Sequence, residues 1–223
     1  MTKKALLKYL EIFVTERRRN LFDKVLNQRT KHFTVVLEDL FEKHNISAVA
    51  RSCDIFGIQD IHIIENRYNS YVSNHVAKGA QKWIDFYNYN KQEHNTQICI
   101  DHLKKQGYQI IATTPHTDSC ILEDFDIRKK SAFVFGVEKA GVSDLVMNQA
   151  DGFLKIPMVG FTESLNVSVA AALILNTTTQ KLRNSNSNWQ LTNSEKETIK
   201  LEWMKKSIKS IDLILERFHK KTC

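Results

Sequence analysis

Residues Ala132-Phe133-Val134-Phe135-Gly136-Val137-Glu138-Lys139-Ala140-Gly141-Val142-Ser143 open on four consecutive apolar side chains and run into a turn bounded by two glycines. A strand that is apolar at every position needs cover on both faces, as inside a parallel sheet layered by helices. Gln109-Ile110-Ile111-Ala112 reads the same way. Working outward, apolar β-prone runs at Thr34–Leu37, Ile61–Ile64, Tyr108–Ala112, Ala132–Phe135 and Phe153–Ile156 alternate with helical patterns. Those patterns lie near Ile46–Phe56, Ile98–Gln106, Ser143–Gln149 and Leu165–Leu182. Such alternation predicts an α/β core built on a parallel sheet.

With 223 residues, 42% of them apolar, the chain can bury one sizeable core, which excludes wholesale disorder, and two prolines exclude a fibrous protein. No run reaches the roughly 18 apolar residues of a membrane span, and charges scattered through the first 19 residues are unlike a signal peptide. No membrane partner and a cytoplasmic location are expected. Cys53, Cys99, Cys120 and Cys223 form no C-x-x-C pair, so reduced, mostly buried thiols are expected. The net charge of +7 divides unevenly: nine basic against three acidic residues in 1–31, fifteen against seventeen in 32–194, eight against five in 195–223. Basic ends around a slightly acidic middle suit a core bracketed by segments that approach a polyanion such as RNA.

The ends read as helices. Leu6, Leu7, Leu10, Phe13 and Val14 give one amphipathic N-terminal helix, and Ser194 with Glu197 gives a capping box ahead of a stripe at Leu201, Met204, Ile208, Ile211, Leu215 and Phe218. The polar stretch Arg183-Asn184-Ser185-Asn186-Ser187-Asn188 reads as a linker. The expected organisation is therefore a basic extension over 1–31, a core over 32–183, and a linker with a basic C-terminal helix over 184–223.

Four of seven glycines, Gly136, Gly141, Gly152 and Gly160, fall in one 25-residue window, marking tight loops after strands. No G-x-G-x-x-G, P-loop or G-x-S-x-G motif is present. Three stretches place polar side chains in apolar surroundings. The first is His44-Asn45-Ile46-Ser47-Ala48-Val49-Ala50-Arg51, where Asn45 can cap a helix. The second is the Gly136–Gly141 turn with Glu138. The third is Ile156-Pro157-Met158-Val159-Gly160-Phe161-Thr162-Glu163-Ser164-Leu165-Asn166-Val167-Ser168-Val169-Ala170. Taken singly, Asn45 and Ser164 read as plain helix caps, Arg51 as a surface ion-pair partner and Glu138 as a turn carboxylate. Asn166, an amide opening an apolar helix, needs a partner if buried.

In this order and spacing the three stretches resemble the motifs of the SpoU or TrmH family of the SPOUT superfamily, RNA ribose 2′-O-methyltransferases, over about 33–182. The resemblance implies a deep trefoil knot in the C-terminal part of the core, flanked by N- and C-terminal helices, and a homodimer. It also implies S-adenosylmethionine as methyl donor, leaving as S-adenosylhomocysteine, with no metal. By analogy Thr113, Gly136, Ile156 and Leu165 surround the donor, Arg51 is catalytic, and Asn45, Glu138, Ser164 and Asn166 organise it and the RNA. A guanidinium stays protonated in proteins, so a phosphate clamp suits Arg51 at least as well as a general base. The short N-terminal extension resembles the tRNA-modifying branch, implying a guanosine 18 2′-OH in the D-loop. Arg17, Arg18, Arg19, Lys205, Lys206 and Lys209 would then hold tRNA phosphates. Ribosomal RNA, another tRNA position, or a non-catalytic RNA-binding module are the alternatives.

Overall fold

The computed structural model describes residues 2–67, 79–115, 119–137 and 140–221. The chain divides into two compact units, Thr30–Trp189 and Met1–Arg29 with Gln190–Cys223.

The larger unit is built on seven parallel strands: β1 Phe33–Glu38, β2 Asp60–Ile64, β3 Asp85–Tyr89, β4 Gln109–Thr113, β5 Cys120–Ile121, β6 Ser131–Phe135 and β7 Gly152–Lys155. Their spatial order is β3-β2-β1-β6-β4-β7-β5. Helices α3 Lys43–Phe56, α4 Asn95–Lys105, α5 Asp144–Gln149 and α6 Val167–Arg183 complete the unit. Alternate residues of the central strands point to opposite faces. Val35, Leu37, Phe133 and Phe135 join Ile46, Val49 and Cys53 of α3 and Ala171, Ile174 and Leu175 of α6. Val36, Ala132 and Val134 join Cys99, Ile100 and Leu103 of α4 and Val146 of α5. Both clusters are closed to water, so every position of β1 and β6 is buried, the polar Thr34, Glu38 and Ser131 included.

Two strands differ from the sequence expectation. The edge strand β3, Asp-Phe-Tyr-Asn-Tyr, is only half-buried and so lacks a continuous apolar run, and β5 is two exposed residues long. Cys53 and Cys99 are buried but Cys120, on β5, is exposed; Cys223 lies outside the described residues.

Beside β3 a buried imidazole takes part in a polar chain. His62 Nδ1 lies 3.0 Å from the Tyr89 hydroxyl, which lies 3.0 Å from His102 Nδ1, and the His62 ring stacks on Tyr87. Burial, with His102 and Lys31 nearby, pulls the His62 pKa down to about 3. The unfolded chain binds a proton there below about pH 6.5 that the folded chain refuses until about pH 3, so this group's contribution is lost as pH falls through that window. His62→Phe keeps the stack and should flatten the loss of unfolding free energy between pH 6.5 and 3, measured by urea titration, by on the order of 1–3 kcal/mol.

The smaller unit departs from the expected single N-terminal helix. It has α1 Lys3–Leu10, a 3₁₀ turn over Glu11–Phe13, and α2 Glu16–Leu26. The break falls at Val14, which is extended, and Thr15, whose side chain accepts from Arg18 N and starts a new helix. The C-terminal stripe is likewise split into α7 Asn193–Ser207 and α8 Ile211–Lys221, with Ser210 at φ 54° between them. The capping box is formed two residues earlier than expected, by Thr192 and Glu195. Phe22, Trp203 and Met204 are buried here, the Arg29 guanidinium lies 5.5 Å over Trp203, and Lys200 pairs with Asp23 at 2.8 Å.

Residues 184–188 do not behave as a free linker. Arg183 donates to the Phe56 carbonyl, Thr30 Oγ1 donates to the Trp189 carbonyl at 2.6 Å, and Trp189 packs against the sheet core. The larger unit therefore extends through Trp189.

Candidate methyl-donor site

Parallel strands aim their carboxyl ends at one edge of the sheet, and loops leaving that edge form the ligand crevice of α/β folds. At this edge, β6, β4 and β7 end at Phe135, Thr113 and Lys155. The segments that follow enclose a cavity of about 360 Å³. Thr113, Gly136, Ile156, Leu165 and Ser164, all singled out from the sequence, line it together. Leu154, Val142, Met147 and Ala170 add apolar wall, while Asp144 and Thr114 add polar groups at its margin. The Thr113 hydroxyl is itself committed, donating to the Val134 carbonyl at 2.9 Å.

The turn after β6 is drawn shut by two backbone bonds: Val137 N donates to the Gly141 carbonyl (3.0 Å) and Gly141 N to the Val137 carbonyl (2.8 Å). This pinch brings backbone against Gly136 so closely that a Cβ there would lie 1.9 Å from the Gly141 oxygen. Gly141 itself sits at φ 70°. The two glycines are therefore required for different reasons, one steric and one conformational. At Gly160, by contrast, a Cβ would meet nothing closer than Thr162 N at 4.0 Å, an ordinary contact. Glu138 lies outside the described residues.

Caps differ from the sequence reading, with a consequence for the site. Helix α3 starts at Lys43, so Asn45 lies inside its first turn and is not its cap. Helix α6 is capped by Asn166, not Ser164: Asn166 Oδ1 accepts from Ser168 N (2.9 Å) and Ser168 Oγ (2.6 Å). Because a backbone N–H can only donate, Oδ1 must face the helix, and Nδ2 is turned toward Asn45 Oδ1, to which it donates at 3.1 Å. Two amides 121 residues apart in sequence are thus joined next to Leu165. Arg51 is not part of this junction. It is exposed on α3 and lines neither this cavity nor the groove beside it.

That groove, about 900 Å³, shares Val137, Ala140, Gly141 and Val142 with the cavity and is lined besides by Asn45, Phe41, Glu42 and the end of β1. The carboxylate of Glu38, buried at the end of β1, fastens the turn. It accepts from Ser143 N and Ser143 Oγ, both at 2.8 Å, and from Thr96 Oγ1 at 2.8 Å. Asp39, at φ 51°, accepts from the backbone N–H groups of Asn66 and Arg67. Sequence reasoning passed over Glu38. Its signal is a carboxylate ending a strand that is apolar but for Thr34, a position that demands buried donors.

In the smaller unit Arg17, Arg18, Lys206 and Lys209 are exposed. Arg19 donates to the Glu11 carbonyl and Lys205 pairs with Glu202, so these two brace their own unit.

The model of the SpoU rRNA Methylase family matches residues 32–176. The chain is 38% identical over 205 residues to a tRNA (guanosine(18)-2′-O)-methyltransferase of Borreliella burgdorferi, covering 92% of each. It is 37% identical over 161 residues to the enzyme of that name from Thermus thermophilus, covering 72% of this chain and 81% of the relative. Among solved structures, an Aquifex aeolicus TrmH/SpoU tRNA modifying enzyme superposes with a TM-score of 0.75 at 28% identity, covering 86% of this chain and 97% of that one. The SpoU methyltransferase AviRb of Streptomyces viridochromogenes, solved with the cofactor AdoMet, shares the fold at a TM-score of 0.62 and 22% identity over 73% of this chain and 65% of that one. A sheet-edge cavity pinched by Gly136, joined to the matched sequence, defines a methyltransferase. This chain belongs to the SpoU methylase family.

Proposed function

We propose that the protein is a tRNA (guanosine(18)-2′-O)-methyltransferase that uses S-adenosylmethionine. The observation that carries the reading is the hydrogen bond between Asn166 and Asn45, which ties the start of α6, at the rim of the cavity, to the groove beside it. A cavity of mixed polarity with a cradle that a Cβ at Gly136 would fill suits an adenosine joined to an amino acid. When bound, the donor would supply an electrophilic methyl carbon: the ribose 2′-oxygen takes it as the C–S bond breaks, S-adenosylhomocysteine leaves, and the hydroxyl proton passes to water or to the neighbouring phosphate. Thr113, Gly136, Ile156 and Leu165 hold it, the apolar walls exclude water, and Asn45, Asn166, Ser164 and Glu138 orient the ribose. This chemistry calls for no metal.

Arg51 acts as a phosphate clamp, its fork holding the RNA backbone beside the target ribose. Arg51→Lys should lower kcat/KM about 10- to 100-fold with the donor's Kd unchanged, because a point charge replaces a bidentate grip. Retention of full activity in a steady-state assay would overturn the clamp.

We further infer a homodimer and a knotted chain. Ile55 of α3 and Val169 and Leu173 of α6 are large exposed apolar residues on two helices that pack together. Arg51 and Ile55 are four residues apart, on one face of α3, so a second copy covering Ile55 would lie against Arg51. For the knot, support comes from the sheet order, in which β7 enters between β4 and β5 before the chain returns to Asn45. In the cytoplasm, where tRNA is modified, Arg17, Arg18, Arg19, Lys205, Lys206 and Lys209 would contact phosphates. Arg17→Glu with Arg18→Glu should flatten the log–log salt dependence of tRNA binding by about 1–2, at roughly 0.7–0.9 per phosphate contact. An unchanged slope in filter binding would refute that assignment.

The reaction is tested by incubating protein, methyl-labelled S-adenosylmethionine and unmodified tRNA, then digesting to nucleosides. Label in 2′-O-methylguanosine is expected; label in a different nucleoside, or none, would reject the reading.

A further inference from the structure

We propose that the groove of about 900 Å³ beside the donor cavity seats the target guanine base, with Glu42 reading its N1–H and 2-amino edge and Phe41 stacking on its face. The proposal rests on the methyl-transfer reading above and adds the subsite that selects the base.

The groove and the donor cavity share Val137, Ala140, Gly141 and Val142 in their walls. They are joined again at the amide pair: Asn45 lines the groove, and its partner Asn166 sits between Leu165 and Val167, which line the cavity. A nucleotide whose ribose rests at that pair has the groove as its neighbouring concave space. The volume is within the roughly 300–1,000 Å³ typical of small-molecule sites.

The chemistry of the lining selects among bases. Of its other three carboxylates, Glu38 is used by Ser143 and Thr96, Asp39 by Asn66 and Arg67, and Asp144 stands in the first turn of α5 and also lines the donor cavity. Glu42 differs. It occupies the cap position of α3, where the helix dipole favours an acid, yet its side chain makes no cap hydrogen bond, so the helix start does not tie its carboxylate down. Guanine alone presents adjacent N1–H and 2-amino donors that a carboxylate accepts together. Adenine N1 and cytosine N3 present lone pairs to it, and uracil offers a single N–H. Phe41 is adjacent and 66% exposed, an apolar ring at the groove wall of the kind on which bases stack.

The test uses full-length protein and tRNA carrying guanosine or inosine at position 18, inosine lacking only the 2-amino group. Wild-type kcat/KM should fall about tenfold on inosine, the usual scale for losing a hydrogen bond to a charged group. Glu42→Gln, which keeps one acceptor and turns an N–H donor toward the base, should lose about tenfold on guanosine and narrow the guanosine-to-inosine ratio. Phe41→Ala should lose about tenfold on both. Calorimetric Kd values for S-adenosylmethionine should remain at the wild-type value in both variants, which also verifies that they fold. A guanosine-to-inosine ratio in Glu42→Gln equal to the wild type's would overturn the subsite while leaving the methyltransferase reading standing. Failure of the wild type to methylate any tRNA would overturn both.

Discussion

Gly136→Ala should abolish detectable binding of S-adenosylmethionine, with a loss in affinity of at least about 100-fold in calorimetry. The added methyl would sit 1.9 Å from the Gly141 carbonyl oxygen, 2.2 Å from its carbon and 2.4 Å from Val142 N. All three are backbone atoms, so no side chain can swing aside. Relief requires opening the pair of bonds between Val137 and Gly141, and with them the wall that the donor cavity shares with the groove. A displacement of about 1 Å in a positioning element costs on the order of 100-fold in rate. The sheet below should survive, because β6 remains paired to β1 and β4. Preserved far-ultraviolet circular dichroism with lost donor binding is the expected combination. Gly160→Ala is the control, since nothing approaches a Cβ there closely.

The second large effect concerns the amide pair. Asn166→Ala removes at once the cap of α6 and the donor to Asn45, so it should reduce kcat about 100- to 1,000-fold and lower stability by about 1 kcal/mol. Asn166→Asp separates the roles. It keeps the cap oxygen facing Ser168 N but turns a second acceptor toward Asn45 Oδ1. Stability should hold while kcat falls nearly as far. If the pair acts as a unit, Asn45→Ala combined with Asn166→Ala should be little worse than either alone. Additive losses in rate would show that the two residues act independently.

The central strands were legible because burial on both faces leaves mostly apolar side chains, and Val35, Val36, Phe133 and Val134 announce themselves. Strand β3 was not, since an edge strand half open to water carries Asp85 and Asn88 among its aromatics. Helix starts misled in both directions. Asn166, Thr15 and Thr192 do cap, whereas Asn45 and Ser164 have the right chemistry at the wrong backbone position. Capping is a property of where the turn begins, and composition fixes that only to within a few residues. In the site, the glycines and Asn166 were readable because each violates its surroundings. Glu38 was not, because its role depends on Ser143 and Thr96, which reach it from 105 and 58 residues away. Arg51, catalytic by the resemblance, stands exposed on α3 in a single copy and lines neither the cavity nor the groove.

The most direct measurement on the donor cavity and the groove as two halves of one active site is an alkaline hydrolysis ladder of unmodified tRNA after incubation with protein and S-adenosylmethionine. A 2′-O-methyl group blocks cleavage at its own phosphodiester. A single gap at guanosine 18, absent when Asn166→Ala replaces the wild type, is the predicted result. An unbroken ladder, or a gap at another nucleotide, would contradict it.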